Sequence, residues 1–466
     1  MKGSVLTQWR SAPPMSTSTW ISGLVLLGLA PGIGLALATE SWVIAAALGA
    51  IGFVPIIVRW PVVTTFGLYA FCVSSLDVFP LLPGGTTLTK LVGLVTAITL
   101  LGAGLVERRL ASPPRAAILW AAFMGWATLS VVWAIDVDLT KQWLLKASTF
   151  VLLYLVTVSF KPSQKEIVAV CVLLVIAGAL AGVLTYTVGA ANLDADASVN
   201  VNNAARARLA LGDMTSKNPN ALGRMLLLPL AFAVAGFVHL TGTIKRLAIA
   251  GCIGLIAVGI YLSMSRSGIA SMSVMLLVLV YRLRLRARRY AIVAVILLFG
   301  ISMMMPATFF RRIESVTSGE DPTGSGRTEI WSVGLRAIPD FALVGGGLNN
   351  FDMVYRRYTA ELTASTSLAG AHNAYLMVTL ELGLVGLILM LGAIGSHFLV
   401  VRNARAAGNN GIILAAAEAA AAGTLVAAFF GDILWTKPFW LAWTILIWAT
   451  TLRPKRTYSA EKLVHV

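Results

Sequence analysis

Apolar windows of about 20 residues recur along almost the whole chain, near 20–38, 41–58, 61–78, 90–106, 116–134, 142–160, 166–188, 219–240, 247–264, 267–283, 290–305, 374–400, 411–430 and 433–452. As a helix, each is long enough to cross a hydrocarbon core of roughly 30 Å. Backbone groups that face lipid must be satisfied within their own segment, so the pattern predicts an all-α polytopic membrane protein. The short windows between 41 and 78 also read as half-length or re-entrant pieces. The expectation is therefore about 12 transmembrane helices, within a range of 12–14, with both termini on one side.

Two polar stretches, 189–218 and 306–373, interrupt this pattern. In the longer one, Gly324-Ser325-Gly326 precedes a predicted helix that starts at Arg327 and stops at Pro339. Gly345-Gly346-Gly347 predicts a turn, and Asn349-Asn350 an N-cap for a second helix with Phe351, Val354, Tyr355 and Tyr358 on one face. The stretch 306–373 reads as a helical lid lying on the membrane. The chain divides into amino-terminal transmembrane helices (1–205), a core with the lid (206–400), and carboxy-terminal helices with a tail (401–466).

Composition agrees: 58% of the 466 residues are hydrophobic and 12% charged, against about 25% charged in soluble domains. The net charge of +16 reads as a topology signal. With the amino terminus inside and alternating spans, 21 of the 36 Lys and Arg residues fall on the inner side. A nucleic-acid partner is not expected; membrane lipids are. Met1 to Thr19 is polar and the first apolar run lacks a small-residue exit site, so it reads as an uncleaved span. Cys72, Cys171 and Cys252 lie in apolar windows and read as small buried residues.

The outer polar stretches then carry arginines that the positive-inside preference opposes. His372, in Ala371-His372-Asn373-Ala374-Tyr375, is the one histidine beside them. It reads as a proton acceptor near neutral pH, or as an interfacial helix cap. Arg266 sits where one span ends and the next begins, and reads as a bidentate phosphate ligand or a snorkelling side chain. Arg208, with Arg206 as a nearby substitute, precedes Asn218-Pro219-Asn220, which also reads as a plain helix start. Arg224, one turn into the span, lines a polar cavity or snorkels. Asp194-Ala195-Asp196 has a metal-binding spacing in an exposed-turn composition, and no metal site or cofactor is expected. Glu381 and Glu418 lie inside spans and need polar surroundings or protonation; Asp432 and Lys437 are expected to pair.

These pieces resemble the O-antigen ligase family, which shares a region with O-antigen polymerases and bacterial protein O-oligosaccharyltransferases. The resemblance rests on Arg208-x-x-x-Gly212 with Asn218-Pro219-Asn220, Ser265-Arg266-Ser267-Gly268, Gly326-Arg327-Thr328-x-x-Trp331, Gly345-x-Gly347-x-x-Asn350-Phe351 and His372-Asn373-x-Tyr375-Leu376. It implies a GT-C-like, metal-independent, inverting glycosyltransferase of the bacterial inner membrane, working at the periplasmic face with both termini cytoplasmic. Its donor would be undecaprenyl-diphosphate-linked O-antigen and its acceptor lipid A–core, as in lipopolysaccharide biosynthesis. His372 takes the family's catalytic position; Arg208, Arg266 and Arg327 would hold the diphosphate. Arg206, Asn220, Asn373 and Tyr375 are secondary candidates. Lys217 and a window count above twelve depart from the family pattern. An O-antigen polymerase or a protein O-oligosaccharyltransferase fits the same motifs. A lipid-linked oligosaccharide flippase or transporter fits less well, because the charges gather at one surface rather than at the midplane.

Overall fold

The computed structural model describes residues 54–75, 80–82, 86–189, 219–263, 265–283, 326–359 and 370–452. The windows at 20–38 and 290–305 lie outside them. Among the described residues the chain is nearly all helical, with one short strand pair, Pro80–Leu82 against Thr86–Thr87. Nine helices among the described residues are long and apolar enough to cross a membrane, each on an expected window.

In chain order, α1 is the short Val62–Ser75. It is followed by α2 (Leu88–Val106), α3 (Arg115–Leu129), α4 (Val137–Ser159) and α5 (Gln164–Leu184). Then come α6 (Pro219–Met225) and α7 (Leu227–His239), which together fill one span, and α8 (Thr243–Ser263) and α9 (Arg266–Leu283). The lid contributes α10 (Gly326–Phe341) and α11 (Phe351–Thr359). The remainder is α12 (Ala374–Ala406), α13 (Ile412–Phe429) and α14 (Lys437–Thr450).

Local chemistry sets the starts of these helices. Asp136 accepts the Leu139 N–H at 2.9 Å and caps α4. Ser163 and Glu166 form a capping box on α5. The window at 433–452 becomes only 14 residues of helix, about 21 Å long. It is apolar all round because α14 is buried in the bundle, where Trp443 and Trp448 are almost wholly enclosed. Beside it the Tyr154 hydroxyl meets His397 Nε2 at 2.7 Å, joining α4 to α12.

Charges sort to two ends. At one, Glu418 takes Arg282 from α9 and Arg405 from α12, and Arg109 pairs with Glu107 and Glu166. At the other, α9 begins at Arg266 and the lid packs on α12. The two ends of α9 are about 25 Å apart.

The lid differs from its sequence reading at three points. Helix α10 runs through Pro339 to Phe341. Asn350 does not cap α11: its side chain accepts the Asp136 N–H at 2.7 Å and donates to Thr140 and Leu348. The Glu381 carboxylate accepts the Phe351 N–H at 3.4 Å instead, and also the Asn349 N–H. An acid inside α12 thus takes the capping role, which gives Glu381 its polar surroundings.

The Gly345-Gly346-Gly347 turn fills a break in α12. At Gly383 the helix backbone is left-handed, φ 68°, and leaves carbonyls without helical donors. Gly346 N–H donates to Leu380 O and Gly347 N–H to Glu381 O, both at 2.8 Å; Trp126 Nε1 donates to Leu382 O at 2.8 Å. Leu384 N–H returns to Ala342 O at 2.7 Å. Leaving such a group buried and unpaired costs about 1–3 kcal/mol. A Cβ on Gly383 would lie 2.1 Å from the Leu343 carbonyl oxygen, and one on Gly345 2.3 Å from Glu381 backbone. Gly383→Ala should therefore lower the thermal unfolding midpoint in detergent, since the left-handed backbone alone costs about 1–2 kcal/mol with a side chain. Gly395→Ala, on the same helix with open space at its Cβ, should leave the midpoint unchanged or raise it.

Candidate functional site

The site is built on the turn that opens α12. Asn373 caps the helix, its Oδ1 accepting the Tyr375 and Leu376 N–H groups at 3.0 and 3.1 Å. The preceding His372 is left-handed, φ 49°, a conformation that a non-glycine residue holds only when its surroundings enforce it. The enforcing group is Asp432, just beyond α13. Its two carboxylate oxygens accept the backbone N–H groups of His372 and Asn373 at 3.1 and 3.2 Å. The imidazole Nδ1 stands 3.9 Å from the same carboxylate, too far for a hydrogen bond. The ring is half-exposed and free to meet a ligand.

The lid helix α10 is tied to this turn by Trp331, whose indole N–H donates to the Ala371 carbonyl at 2.9 Å and whose ring packs on Phe429 at 5.4 Å. Arg327 lies one helical turn before Trp331, on the same face. It is under the influence of Arg266 and Asp432, and burial first, then Arg266, hold its guanidinium below the usual arginine range.

Arg266 opens α9 behind Ser265. The Ser265 hydroxyl accepts the Gly268 N–H at 3.0 Å and donates to Asn220 Oδ1 at 3.0 Å. Asn220 thereby joins α6 to α9, and its carbonyl also accepts Arg224 Nε at 2.9 Å. The Arg224 guanidinium lies against Gly431, where a Cβ would sit 1.7 Å from Nη1. That Nη1 is buried and has no hydrogen-bond partner among the described residues.

The structure brings His372, Asn373, Arg266, Arg327 and Asn220 to one end of the bundle. Two further residues join them. Arg224 and Asp432 act electrostatically on His372, and Asp432 on Arg224. The expected Asp432–Lys437 pairing is replaced. Asp432 turns to the His372 turn, while Lys437 donates to the Thr87 and Thr89 hydroxyls. The signals for both added residues were local: Arg224 follows Asn220 by one turn, and Gly431 leaves room beside Asp432. Tyr375 faces elsewhere, its hydroxyl donating to the Leu425 carbonyl at 3.1 Å. Arg206, Arg208, Asp194 and Asp196 lie outside the described residues. Among the described residues no three His, Cys, Asp or Glu side chains are grouped to hold a metal.

Burial is the main influence holding the His372 imidazole below the usual histidine range; Asp432 opposes it, and Arg327 and Arg224 add to it. An imidazole unperturbed near 6.5 and pushed lower is neutral at pH 7. The cluster therefore offers an uncharged proton acceptor beside three guanidinium groups.

No curated protein matches the chain. Residues 250–391 match the family model described as O-Antigen ligase, a stretch that holds Arg266, Arg327, the lid turn and His372. That match supports membership of the O-antigen ligase family.

Proposed function

We propose that this protein transfers a finished glycan from undecaprenyl diphosphate to a sugar hydroxyl of lipid A–core. The observation that carries this reading is the neutral imidazole of His372 set beside Arg224, Arg266 and Arg327. The acceptor hydroxyl oxygen forms a bond to the anomeric carbon as the bond from that carbon to the diphosphate breaks, which inverts the centre. His372 takes the hydroxyl proton and later gives it to solvent. The departing diphosphate carries the electron pair, and Arg266, Arg327 and Arg224 neutralise it; Arg208 joins them on motif grounds. Fixed charges aimed at developing charge are commonly the largest catalytic contribution. Asp432 acts as a positioning residue that fixes the His372 turn. The lid excludes water, which would otherwise compete with the acceptor.

The test is reconstitution of the full chain with lipid-diphosphate glycan and lipid A–core, read by product mass. His372→Ala should fold and insert but lose about 10²–10⁴-fold in transfer. Arg266→Lys should lose activity as well, because an ammonium cannot grip phosphate bidentately. Full transfer by His372→Ala would remove it as the base, and product formed only with a growing glycan as acceptor would make the protein a polymerase.

Transfer should also follow the protonation of His372. Its ordinary value is lowered, so the active, neutral form persists below about pH 6.5 and is lost as pH falls further. Asp432→Asn removes the one charge that raises it. The acid limb of the pH–rate profile should then move to lower pH; a limb that stays put would mean another group controls it.

The working face is proposed to be periplasmic, with both termini cytoplasmic. In a cysteine-free background, Arg356→Cys on the lid should react with an impermeant maleimide from outside the inner membrane. Arg402→Cys, at the opposite end of α12, should not. The reverse pattern would place the site in the cytosol.

A further inference from the structure

One edge of the lid turns apolar side chains outward. From Phe341 to Leu348 the sequence is Phe-Ala-Leu-Val-Gly-Gly-Gly-Leu, with no polar side chain between Asp340 and Asn349. Loops in water are commonly built from Ser, Thr, Asn and Asp beside their Gly and Pro. Here Leu343 is 74% exposed and Val344 41%. Trp133 Nε1 donates to Val344 O at 3.1 Å and Leu384 N–H to Ala342 O at 2.7 Å, so the edge lies between the end of α3 and the Gly383 break in α12. The neighbouring side chains face outward as well: Val132 is 82% exposed, and Leu384, Val385 and Ile388 are exposed beside it.

Those neighbours belong to spans, and the helices give their depth. Val132 closes the span that begins at Arg115, about 26 Å along it. Leu384 lies about 27 Å along α12 from Arg402. Both lengths fall just short of a hydrocarbon core of roughly 30 Å, which puts the lid edge level with the boundary of that core on the His372 side. The backbone of the edge is fitted to such a place. Gly345 N–H donates to Phe341 O at 3.1 Å, the Gly346 and Gly347 N–H groups are spent on α12, and Gly346 O accepts from Ile135. All three glycines are buried. Irregular backbone is tolerated at membrane depth only where protein satisfies it. Trp133, an apolar ring with one polar N–H, is of the type that gathers at this boundary.

We propose that Leu343 and Val344 insert into the bilayer, meeting the acyl chains just below the headgroups and continuing the lipid-facing surface of α3 and α12. The partner is lipid rather than a second copy of the chain, because the exposed residues on either side belong to spans that lipid must cover. Removing both side chains from water drives the insertion. The contact anchors the lid: α10 is held by the bilayer beyond its carboxy-terminal end and, through Trp331, by the Ala371 carbonyl. The inference uses no residue assigned to glycan transfer and stands apart from that reading.

The experiment places a nitroxide label on the full chain in phospholipid nanodiscs, in a cysteine-free background, and reads its relaxation by oxygen, which concentrates in acyl chains, and by a water-soluble nickel chelate. Leu343→Cys carries the label, and Val344→Cys repeats the reading should the first variant fold poorly; both side chains are exposed, so a label displaces no packing. Ile388→Cys on α12 supplies the lipid standard and Arg356→Cys on the lid the water standard. At Leu343 and Val344 oxygen should be the stronger relaxant, as at Ile388, and the chelate should be largely excluded. Relaxation mainly by the chelate, as at Arg356, would put the edge in water and overturn the insertion. Exclusion of both relaxants together with spin–spin broadening between labels would mean that a second copy covers the edge, and would overturn it too. Failure of wild-type protein to transfer glycan would sink the proposed reaction while leaving these readings intact.

Discussion

A backbone amide or carbonyl inside a membrane has no water to fall back on, and this constraint shapes the site more than any single side chain. It makes most of the chain helical, and it turns the break in α12 at Gly383 into a socket. The carbonyls freed there are met by Gly346, Gly347 and Trp126. The same loop is held from the far side, where Ile135 N–H donates to Gly346 O at 2.9 Å and Trp133 Nε1 to Val344 O at 3.1 Å. Segment 342–347 is therefore part of the bundle, wedged between α12 and the α3–α4 turn. Through α10 and Trp331 that anchorage extends to the Ala371 carbonyl. The His372 turn is thus clamped between the lid and Asp432.

Electrostatics then separates two kinds of arginine. At one end of α9, Arg282 shares Glu418 with Arg405, and Glu418 is nearly enclosed. Removing one partner of such a group is expensive, at about 3–5 kcal/mol when fully buried, so this end reads as architecture. At the other end Arg224 and Arg327 share the influence of Asp432, whose oxygens are already taken by backbone N–H groups, and Arg266 acts on Arg327. A carboxylate engaged in that way fixes a turn and moderates Arg224 and Arg327 from a distance. Cations gathered under this restraint are suited to an incoming anion.

The spans were legible because a membrane imposes length and apolarity on a sequence directly. Nine windows became helices with shifts of a few residues. The motifs at Arg266, Arg327 and His372 were legible as polar interruptions in an apolar text, and the fold brings them together. What the sequence hid were relations between separate segments. Asn350 looked like a cap, and only the fold shows that Asp136 and Thr140 claim its side chain while Glu381, thirty residues on, replaces it. Asp432 and Lys437 looked like natural partners five residues apart. The turn between them, with Ile433 N–H on Gly431 O and Thr436 N–H on Ile433 O, sends the two charges to different neighbours. Local spacing fixes which residues can touch within a helix, but says nothing about a carboxylate whose acceptors are spent on another chain segment.

That same turn separates Asp432 from Lys437. Gly431 lies against Arg224 and Asp432 binds the His372 turn, whereas Lys437 donates to Thr87 and Thr89. Between them Trp440 Nε1 donates to the Leu434 carbonyl at 2.8 Å, and Leu434 and Ile433 are buried. A segment tied at both ends and packed in its middle holds its flanking charges at a fixed spacing. The Asp432 carboxylate is therefore held at the His372 turn by the packing behind it as well as by its two hydrogen bonds.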